Sequence, residues 1–384
     1  KDNFLTKGIR TTAGSKLLKD YIPQFSATVV KKLEDAGYFV IGKTNLDAWC
    51  HGSSTESSDF GPTLNPWDVS RVAGGSSGGS AAAVSAGIVD VAIGSETAGS
   101  IRGPASWCGV VGVKPTYGRV SRYGVIAMGS SLDCPGILAN TVTNAAKILK
   151  IISGKDPLDA TSSEKPVEDY ESFLTGNIKK IKIGLIKNYF LPEMDTDVIN
   201  KVNDSVRVFE RLGAKVSNVK TLDPKYAIGV YTVVQRSEVS SNLARFDGIR
   251  YGSARQNFGE EAKRRIMLGA YTLLSGYQDK YYKKAQKVRT MFIRDFEKLF
   301  EEYDCLICPT MPTVAPKLGI TKNKSMHGEM ADILTEPAAI AGIPAISIPC
   351  GFIKGLPVGL SIIGKQFDEK TILNVAYAYE QNHE

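Results

Sequence analysis

The sequence predicts an α/β protein in which helices cover both faces of a sheet. Strand-like and helix-like segments alternate along the 384 residues, and such alternation favours a largely parallel sheet. Hydrophobic residues make up 43% and charged residues 23%, which is typical of a folded globular chain and excludes dominant disorder. No apolar run approaches the roughly 20 residues that a membrane-spanning helix needs.

Hydrophobic periodicity places the individual elements. Helices are predicted over 26–37, 80–87, 195–212 and 281–303, and strands over 38–41, 89–93, 108–113, 181–186, 305–310, 342–352 and 358–363. The last helix carries a stripe at helical spacing that should face the core, formed by Ala285, Val288, Phe292, Phe296 and Leu299. The segment from about 156 to 265 differs in sequence pattern from the part of the chain before it. It is predicted to form a peripheral layer on a single domain spanning 1–384.

The overall charge and the cysteines set broad limits on function. A net charge of +7 permits contact with nucleic acid or an acidic partner but does not require it. Six cysteines are too few for a disulfide scaffold and suit a reducing cytoplasm. The pair Cys305 and Cys308 has the spacing of a redox or metal site, but it stands alone. Two small residues on a buried strand are therefore expected there.

The stretch from Gly74 to Pro104 carries most of the chemical information. It holds two glycine-rich turns with Ser76 and Ser100 24 residues apart, separated by a predicted helix and strand, so both turns should lie at one end of the sheet. Three interpretations compete: a flexible linker, a phosphate-binding loop without the Gly-Lys-Ser/Thr ending, and a serine nucleophile on a turn that supplies backbone N–H groups.

A serine nucleophile needs a base, and the sequence leaves its identity open. The chain has three histidines. His51 and His327 are expected in exposed loops, and His383 stands next to the chain end. A lysine is the next candidate, because burial lowers its pKa toward the neutral form that accepts a proton. Composition does not indicate which lysine serves.

The two turns resemble the signature of the amidase signature family. The matching residues are Gly75-Ser-Ser-Gly-Gly-Ser80 and Gly94-Ser-Glu-Thr-Ala-Gly-Ser-Ile-Arg-Gly-Pro104. The resemblance covers nearly the whole chain and implies one α/β/α domain with a large mixed sheet between helices. Since the chain begins with Lys-Asp-Asn rather than Met, a further N-terminal segment is expected to precede it.

The resemblance also implies a Ser–cis-Ser–Lys triad. In it Ser100 is the nucleophile, Ser76 follows a cis peptide bond and relays the proton, and Lys1 is the base. The backbone N–H groups that match the family's oxyanion hole belong to Thr97, Ala98, Gly99 and Ser100. Two departures concern this turn: Ala98 replaces a usual glycine, and Glu96 replaces a usual aspartate.

Further segments resemble the branch of this family that hydrolyses glutamine within tRNA-dependent amidotransferases. These segments are 114–124, 130–134, 245–252, 264–269, 284–289 and 364–369. The resemblance implies two partners: a B subunit, which uses ATP and Mg²⁺ to amidate misacylated tRNA with the released ammonia, and a small C subunit. No cofactor or metal is expected in this chain itself. The compartment would be the cytoplasm, or an organellar matrix in a eukaryote.

The glutamine-binding residues of that branch match Tyr231, Arg265 and Asp332. Arg265 can bind the α-carboxylate bidentately, Asp332 the α-ammonium, and the Tyr231 hydroxyl can hydrogen-bond the ligand. Each has an alternative: a surface ion pair for Arg265, a helix cap for Asp332 and plain core for Tyr231. The region 252–264 is shorter than in the family, so a loop is expected to be missing there.

The resemblance therefore implies a glutamine amidohydrolase that supplies ammonia for Gln-tRNA(Gln) or Asn-tRNA(Asn) formation. Two other functions stay open. A stand-alone amidase acting on small aliphatic or aryl amides would share the triad and differ in its pocket. A non-catalytic scaffold or nucleotide-binding protein would bind nucleotide without releasing ammonia.

Overall fold

The computed structural model describes residues 1–249, 252–319 and 330–383. The strands are β1 (Leu64–Asn65), β2 (Asp68–Val72), β3 (Val91–Glu96), β4 (Val111–Lys114), β5 (Cys134–Ala139), β6 (Lys182–Ile186), β7 (Lys215–Val219), β8 (Cys305–Pro309), β9 (Ala345–Ile353) and β10 (Leu356–Gly364). The α-helices are α1 (Thr28–Asp35), α2 (Gly78–Ser85), α3 (Arg102–Cys108), α4 (Val142–Ile152), α5 (Thr196–Arg211), α6 (Lys225–Leu243), α7 (Glu260–Leu273), α8 (Lys284–Leu299), α9 (Glu336–Ala341) and α10 (Glu369–Glu380).

The main sheet has eight strands in the order β3-β5-β4-β9-β10-β8-β6-β7. In this spatial order, every neighbouring pair from β3 as far as β8 is antiparallel. The β8–β6 and β6–β7 pairs are parallel. The expectation of a largely parallel sheet is wrong, and the mixed sheet implied by the family resemblance is confirmed. Alternation of element types does not fix strand direction. The tight turn at Lys354 and Gly355, both with positive φ, makes β9 and β10 an antiparallel hairpin.

Helices cover both faces of this sheet, as the alternation along β5 demonstrates. Ile137 packs in the main core with Ile148 of α4, whereas the next residue, Leu138, packs in a separate cluster with Ala105 of α3. Successive side chains of a strand point to opposite faces, so the strand lies between two helical layers. The predicted α/β/α sandwich is therefore confirmed.

Two predicted strands need correction. Residues 38–41 form no strand, and the side chains of Phe39 and Ile41 are exposed, because no described strand pairs with this apolar run. The strand predicted over 108–113 begins only at Val111. Helix α3 continues to Cys108, and Gly109 ends it in the left-handed conformation that a glycine adopts without strain.

The remaining elements lie close to their predicted positions. Asp195 caps α5 through its side chain, and the hydrophobic stripe of α8 joins the core. Within the predicted peripheral segment 156–265, β6 and β7 form one edge of the main sheet. The division into one domain with a peripheral layer stays a prediction. Among the described residues, no helix is both long and apolar enough to cross a membrane.

Truncation of the α8 stripe should weaken the fold measurably. Phe292 is fully buried, whereas the side chain of the adjacent Met291 is 53% exposed. We expect Phe292→Ala to reduce the free energy of unfolding by about 3–5 kcal/mol through lost burial and a residual cavity. The control Met291→Ala should change it by less than about 0.5 kcal/mol. Urea unfolding of both variants tests this, and equal midpoints would contradict a core position for Phe292.

Candidate active site

The fold brings the two glycine-rich turns together, as the sequence predicts. One turn leads into α2 and the other joins β3 to α3. The Ser77 backbone N–H donates to the Ser100 carbonyl oxygen at 3.1 Å, and the Ser77 hydroxyl donates to the Ser95 carbonyl at 3.1 Å. The peptide bond between Gly75 and Ser76 is cis, in agreement with the expectation from the family resemblance. Ser76 and Ser100 are both buried.

The Lys1 amine lies against the first turn. Its Nζ is hydrogen-bonded to Ser76 Oγ at 2.7 Å and to the carbonyl oxygen and hydroxyl of Ser95, both at 3.0 Å. Burial lowers the pKa of the Lys1 amine, and the nearby groups of Cys50, Asp47 and Asp133 oppose this shift only in part. A neutral amine has two N–H donors and one lone pair. The two Ser95 oxygens can accept both protons, leaving the lone pair for the Ser76 hydroxyl.

Neighbouring residues that sequence reasoning missed hold this arrangement in place. Asn3 donates through Nδ2 to Ser95 Oγ at 3.0 Å, and the Lys1 main-chain nitrogen donates to the Ile93 carbonyl at 3.0 Å. The Asp47 carboxylate accepts from the Thr55 N–H at 2.8 Å, and residues 47–58 pack against the cis-peptide turn. The serine-rich composition of 51–58 gives no signal of this burial, since it resembles an exposed polar loop.

The second turn presents backbone N–H groups, as an oxyanion site requires. Within the part of the chain that the structure describes, the N–H groups of Ala98, Gly99 and Ser100 have no hydrogen-bond acceptor. Ala98 has no left-handed φ, so an alanine fits where the family usually has a glycine. The Thr97 hydroxyl is hydrogen-bonded to Tyr231 Oη at 3.0 Å, which connects the turn to α6.

A buried ion pair supports this turn from behind. The Glu96 carboxylate accepts from the N–H groups of Ile101 and Arg102 at 3.0 Å each and from Arg102 Nε at 2.9 Å. The Arg102 guanidinium also donates to the carbonyls of Ala98 at 2.9 Å and Thr335 at 2.8 Å. Both charged side chains are inaccessible to solvent. Glu96, one methylene longer than the aspartate usual in the family, thus spans the turn. The ion pair fixes the backbone of the turn.

The three predicted glutamine-binding residues are all buried, and two of them, Tyr231 and Asp332, lie against the second glycine-rich turn. Tyr231 lies on α6, Arg265 on α7 and Asp332 just before α9. Asp332 Oδ2 accepts from Ser53 Oγ at 2.7 Å, and its Oδ1 would lie 2.5 Å from a Cβ placed on Gly99. The Asp332 carboxylate therefore lies beside the second glycine-rich turn, which presents the backbone N–H groups.

The alternatives for these three residues can be compared with the structure. Arg265 donates to Glu261 at 2.7 Å, but its side chain is only 7% exposed, so it is not a surface ion pair. The Asp332 carbonyl, rather than its carboxylate, accepts from the Thr335 and Glu336 N–H groups. The Tyr231 hydroxyl is hydrogen-bonded to the active-site turn and so differs from plain core. Their binding roles stay predictions.

Comparison with known proteins identifies the family of this chain. The family model for Amidase matches residues 1–373. The chain belongs to the amidase family. It is 53% identical to the A subunit of glutamyl-tRNA(Gln) amidotransferase from Geobacillus kaustophilus over 99% of this chain and 82% of that protein. It is 51% identical to the protein of the same name from Persephonella marina, over 98% of this chain and 81% of that protein.

Solved amidase structures share the architecture. The A subunit of glutamyl-tRNA(Gln) amidotransferase from Thermotoga maritima superposes with a TM-score of 0.90 at 45% identity, over 100% of this chain and 82% of that chain. A bacterial aryl acylamidase of the amidase signature family gives a TM-score of 0.87 at 26% identity, over 98% and 80%. The 6-aminohexanoate cyclic dimer hydrolase bound to its substrate gives 0.89 at 25%, over 100% and 83%.

Neither of the two histidines that the structure describes, His51 and His383, is hydrogen-bonded to a candidate catalytic serine. His51 is buried, so the expectation of an exposed loop residue is wrong; the polar residues around it in sequence are themselves folded inward. His383 packs edge-on against Tyr379 near the chain end. His327, like residues 250 and 251, lies outside the described residues. The group hydrogen-bonded to a candidate serine is Lys1 rather than a histidine.

Cys305 and Cys308 are fully buried on β8, as expected for small residues of a buried strand. Burial raises the pKa of the Cys305 and Cys308 thiols, which favours the protonated form. All six cysteines are free. In the described ranges, no group of three or more histidine, cysteine or acidic residues could hold a metal ion.

The buried ion pair makes a stability prediction. Arg102→Met should reduce the free energy of unfolding by about 3–5 kcal/mol, because it leaves the Glu96 charge buried without its counter-ion. Arg207→Met is the matched control: Arg207 pairs with Asp204 on the surface, and its loss should cost about 0–1 kcal/mol. Urea unfolding measures both.

The double variant Glu96→Gln/Arg102→Met sharpens that test. It should recover part of the loss, because no uncompensated charge remains. A double variant less stable than Arg102→Met would mean that hydrogen bonding to the turn, rather than charge pairing, dominates the contribution of Glu96.

Proposed function

We propose that this amidase is the glutamine-hydrolysing component of a tRNA-dependent amidotransferase. The observation that carries the proposal is the 2.7 Å hydrogen bond between the buried Lys1 amine and Ser76 Oγ, next to the turn that bears Ser100. The relatives named as the A subunit of such an amidotransferase, at 51–53% identity, support the biological context. The ammonia released from glutamine would be consumed by a partner subunit.

The chemistry follows from the proton path. Ser100 Oγ attacks the side-chain amide carbon of glutamine while its proton passes to Ser76, whose own proton passes to neutral Lys1. The negative oxygen of the tetrahedral intermediate is stabilised by the N–H groups of the second turn. The C–N bond then breaks, and the nitrogen leaves as ammonia after the proton returns by the same path. Water hydrolyses the glutamyl ester in the same manner and releases glutamate and Ser100.

Substrate recognition is assigned to the charged residues beside the turn. Arg265 binds the α-carboxylate, Asp332 the α-ammonium, and Tyr231 hydrogen-bonds the ligand while it holds Thr97. Such a pocket favours a zwitterion, because each charge of the ligand is matched inside a desolvated site. Asparagine, shorter by one methylene, should place its amide carbon away from Ser100 and react poorly.

The partners proposed are the B and C subunits of the amidotransferase. The B subunit would use ATP and Mg²⁺ to activate Glu-tRNA(Gln) or Asp-tRNA(Asn) and consume the ammonia. The tRNA would be contacted through the complex, so the modest charge of +7 on this chain suffices. Six free, buried cysteines support a reducing compartment, the cytoplasm or an organellar matrix.

Ammonia release from glutamine tests the proposal. We expect the protein assembled with its partners to release ammonia from glutamine, weakly from asparagine, and hardly from simple apolar amides. Ser100→Ala should lower kcat by at least about 10⁴-fold, because it removes the nucleophile. Ser172→Ala, at an exposed serine, is the control and should leave kcat unchanged.

The other outcomes distinguish the rival functions. Fast, Ser100-dependent hydrolysis of apolar amides with glutamine ignored would indicate a stand-alone amidase. Nucleotide binding with no ammonia release from any amide, in the assembled complex, would indicate a scaffold. Normal turnover in Ser100→Ala would overturn the mechanism itself.

The lowered pKa of Lys1 predicts the pH dependence. Protonation of the base abolishes catalysis, so kcat/KM for glutamine should rise with pH through an acid limb whose midpoint lies below the usual lysine value of about 10.4. Lys1→Arg should show less than about 1% of the activity at every pH, because a guanidinium stays charged. Lys365→Arg, at an exposed lysine, is the control. A pH-independent rate would exclude Lys1 as the titrating base.

A further inference from the structure

His51 is a buried polar side chain that the proposed mechanism does not use. It is 1% exposed, and neither of its ring nitrogens has a hydrogen-bond partner among the described residues. Buried polar side chains of folded proteins are almost always hydrogen-bonded. A buried imidazole with both nitrogens unsatisfied therefore points to a group that is bound during function.

The position of His51 indicates where that group lies. The ring belongs to the 51–58 loop, and two residues later Ser53 donates to Asp332 Oδ2 at 2.7 Å. The positive charges of Arg265 and Arg236 are close enough to lower the pKa of His51, in addition to the larger effect of burial. His51 therefore lies in the same buried region as Asp332, with the positive charges of Arg265 and Arg236 nearby.

Chemistry selects the kind of ligand atom. A neutral imidazole offers one N–H donor and one acceptor nitrogen. Because two guanidinium groups are near, a ligand cation would be repelled here and a ligand anion attracted. An α-carboxylate held by Arg265 has a second oxygen that can accept another hydrogen bond.

Resting on the proposed function, we propose that His51 is a substrate-binding residue whose ring N–H donates a hydrogen bond to the α-carboxylate of glutamine. The ring selects substrates that carry a carboxylate on the carbon bearing the amine, and so acts with Arg265 rather than with Asp332. It takes no part in proton transfer to the amide, which is assigned to Lys1 and Ser76.

Two ligands that each lack one charge of glutamine separate carboxylate from ammonium recognition. Glutaramate keeps the carboxylate and lacks the α-amine, whereas 4-aminobutanamide keeps the amine and lacks the carboxylate. For the assembled enzyme we would measure KM and kcat for glutamine, and the inhibition constants of both analogues as competitors. Competition reports binding whether or not an analogue is hydrolysed.

The variants are His51→Phe, which keeps a ring without nitrogens, and His51→Gln, which keeps an N–H donor. His51→Phe should raise the KM for glutamine and the inhibition constant of glutaramate by about 10- to 100-fold, the range for a hydrogen bond to a charged group. The kcat and the inhibition constant of 4-aminobutanamide should stay within about threefold. His51→Gln should recover much of the affinity, and the control His383→Gln should match the unmodified enzyme.

Each other result overturns the assignment. Equal losses for both analogues would indicate a structural role, and a loss confined to 4-aminobutanamide would place the ring at the α-ammonium. Unchanged constants in His51→Phe would exclude a contact. If His51→Phe unfolds, His51→Gln and His51→Met carry the same comparison. Failure of the unmodified enzyme to hydrolyse glutamine would instead refute the proposed function.

Discussion

The candidate active site depends on keeping one lysine amine out of water. Exposed to solvent, the Lys1 amine would be protonated at neutral pH and could not accept a proton from Ser76. The fold removes the water by placing the residue between β3 and the cis-peptide turn, with its main-chain nitrogen hydrogen-bonded to Ile93. Burial has a cost, and the hydrogen bonds from Nζ to the two Ser95 oxygens offset part of it without supplying a negative charge.

Close backbone approach is the second requirement of this centre. A Cβ on Gly75 would lie 2.1 Å from the Asp47 carboxylate, and one on Gly99 would lie 2.4 Å from the Thr335 hydroxyl. Glycine is therefore needed at both turns so that the 47–58 loop and the segment before α9 can pack against the serines. In these two turns the glycines serve tight packing, which is the opposite of a flexible linker.

The sequence predicted which serines and which lysine lie together in the candidate site better than it predicted the residues around them. Ser76 and Ser100 fall in one continuous motif, so a local pattern was sufficient to find them, and the resemblance added Lys1. Asn3, Asp47 and Ser95 were missed because their roles come from contacts between distant segments. His51 was wrongly placed at the surface, since polar neighbours in sequence indicate exposure only when they are not themselves buried.

The fold shows the same contrast: elements with a local sequence signal were predicted, and features set by long-range contacts were not. The helices α1, α5 and α8 carry their own periodicity, and their predicted positions agree with the structure. The directions of the strands depend on long-range pairing, which element alternation does not encode, so the sheet is mixed where a parallel one was expected. The apolar run 38–41 does not form the predicted strand, because no described strand pairs with it.

The residues proposed for catalysis and those proposed for recognition come from different parts of the chain, and this separation would explain how one fold can act on different amides. The proposed catalytic residues lie within the first 100 residues, whereas the proposed binding residues Tyr231, Arg265 and Asp332 come from α6, α7 and the segment before α9. Amidases with TM-scores of 0.87 and 0.89 are named for aryl acylamides and for a cyclic dimer at only 26% and 25% identity. The fold that these proteins share cannot by itself distinguish such substrates. Buried charged residues can distinguish substrates. An apolar amide would desolvate Arg265 and Asp332 further without offering a counter-charge to either side chain.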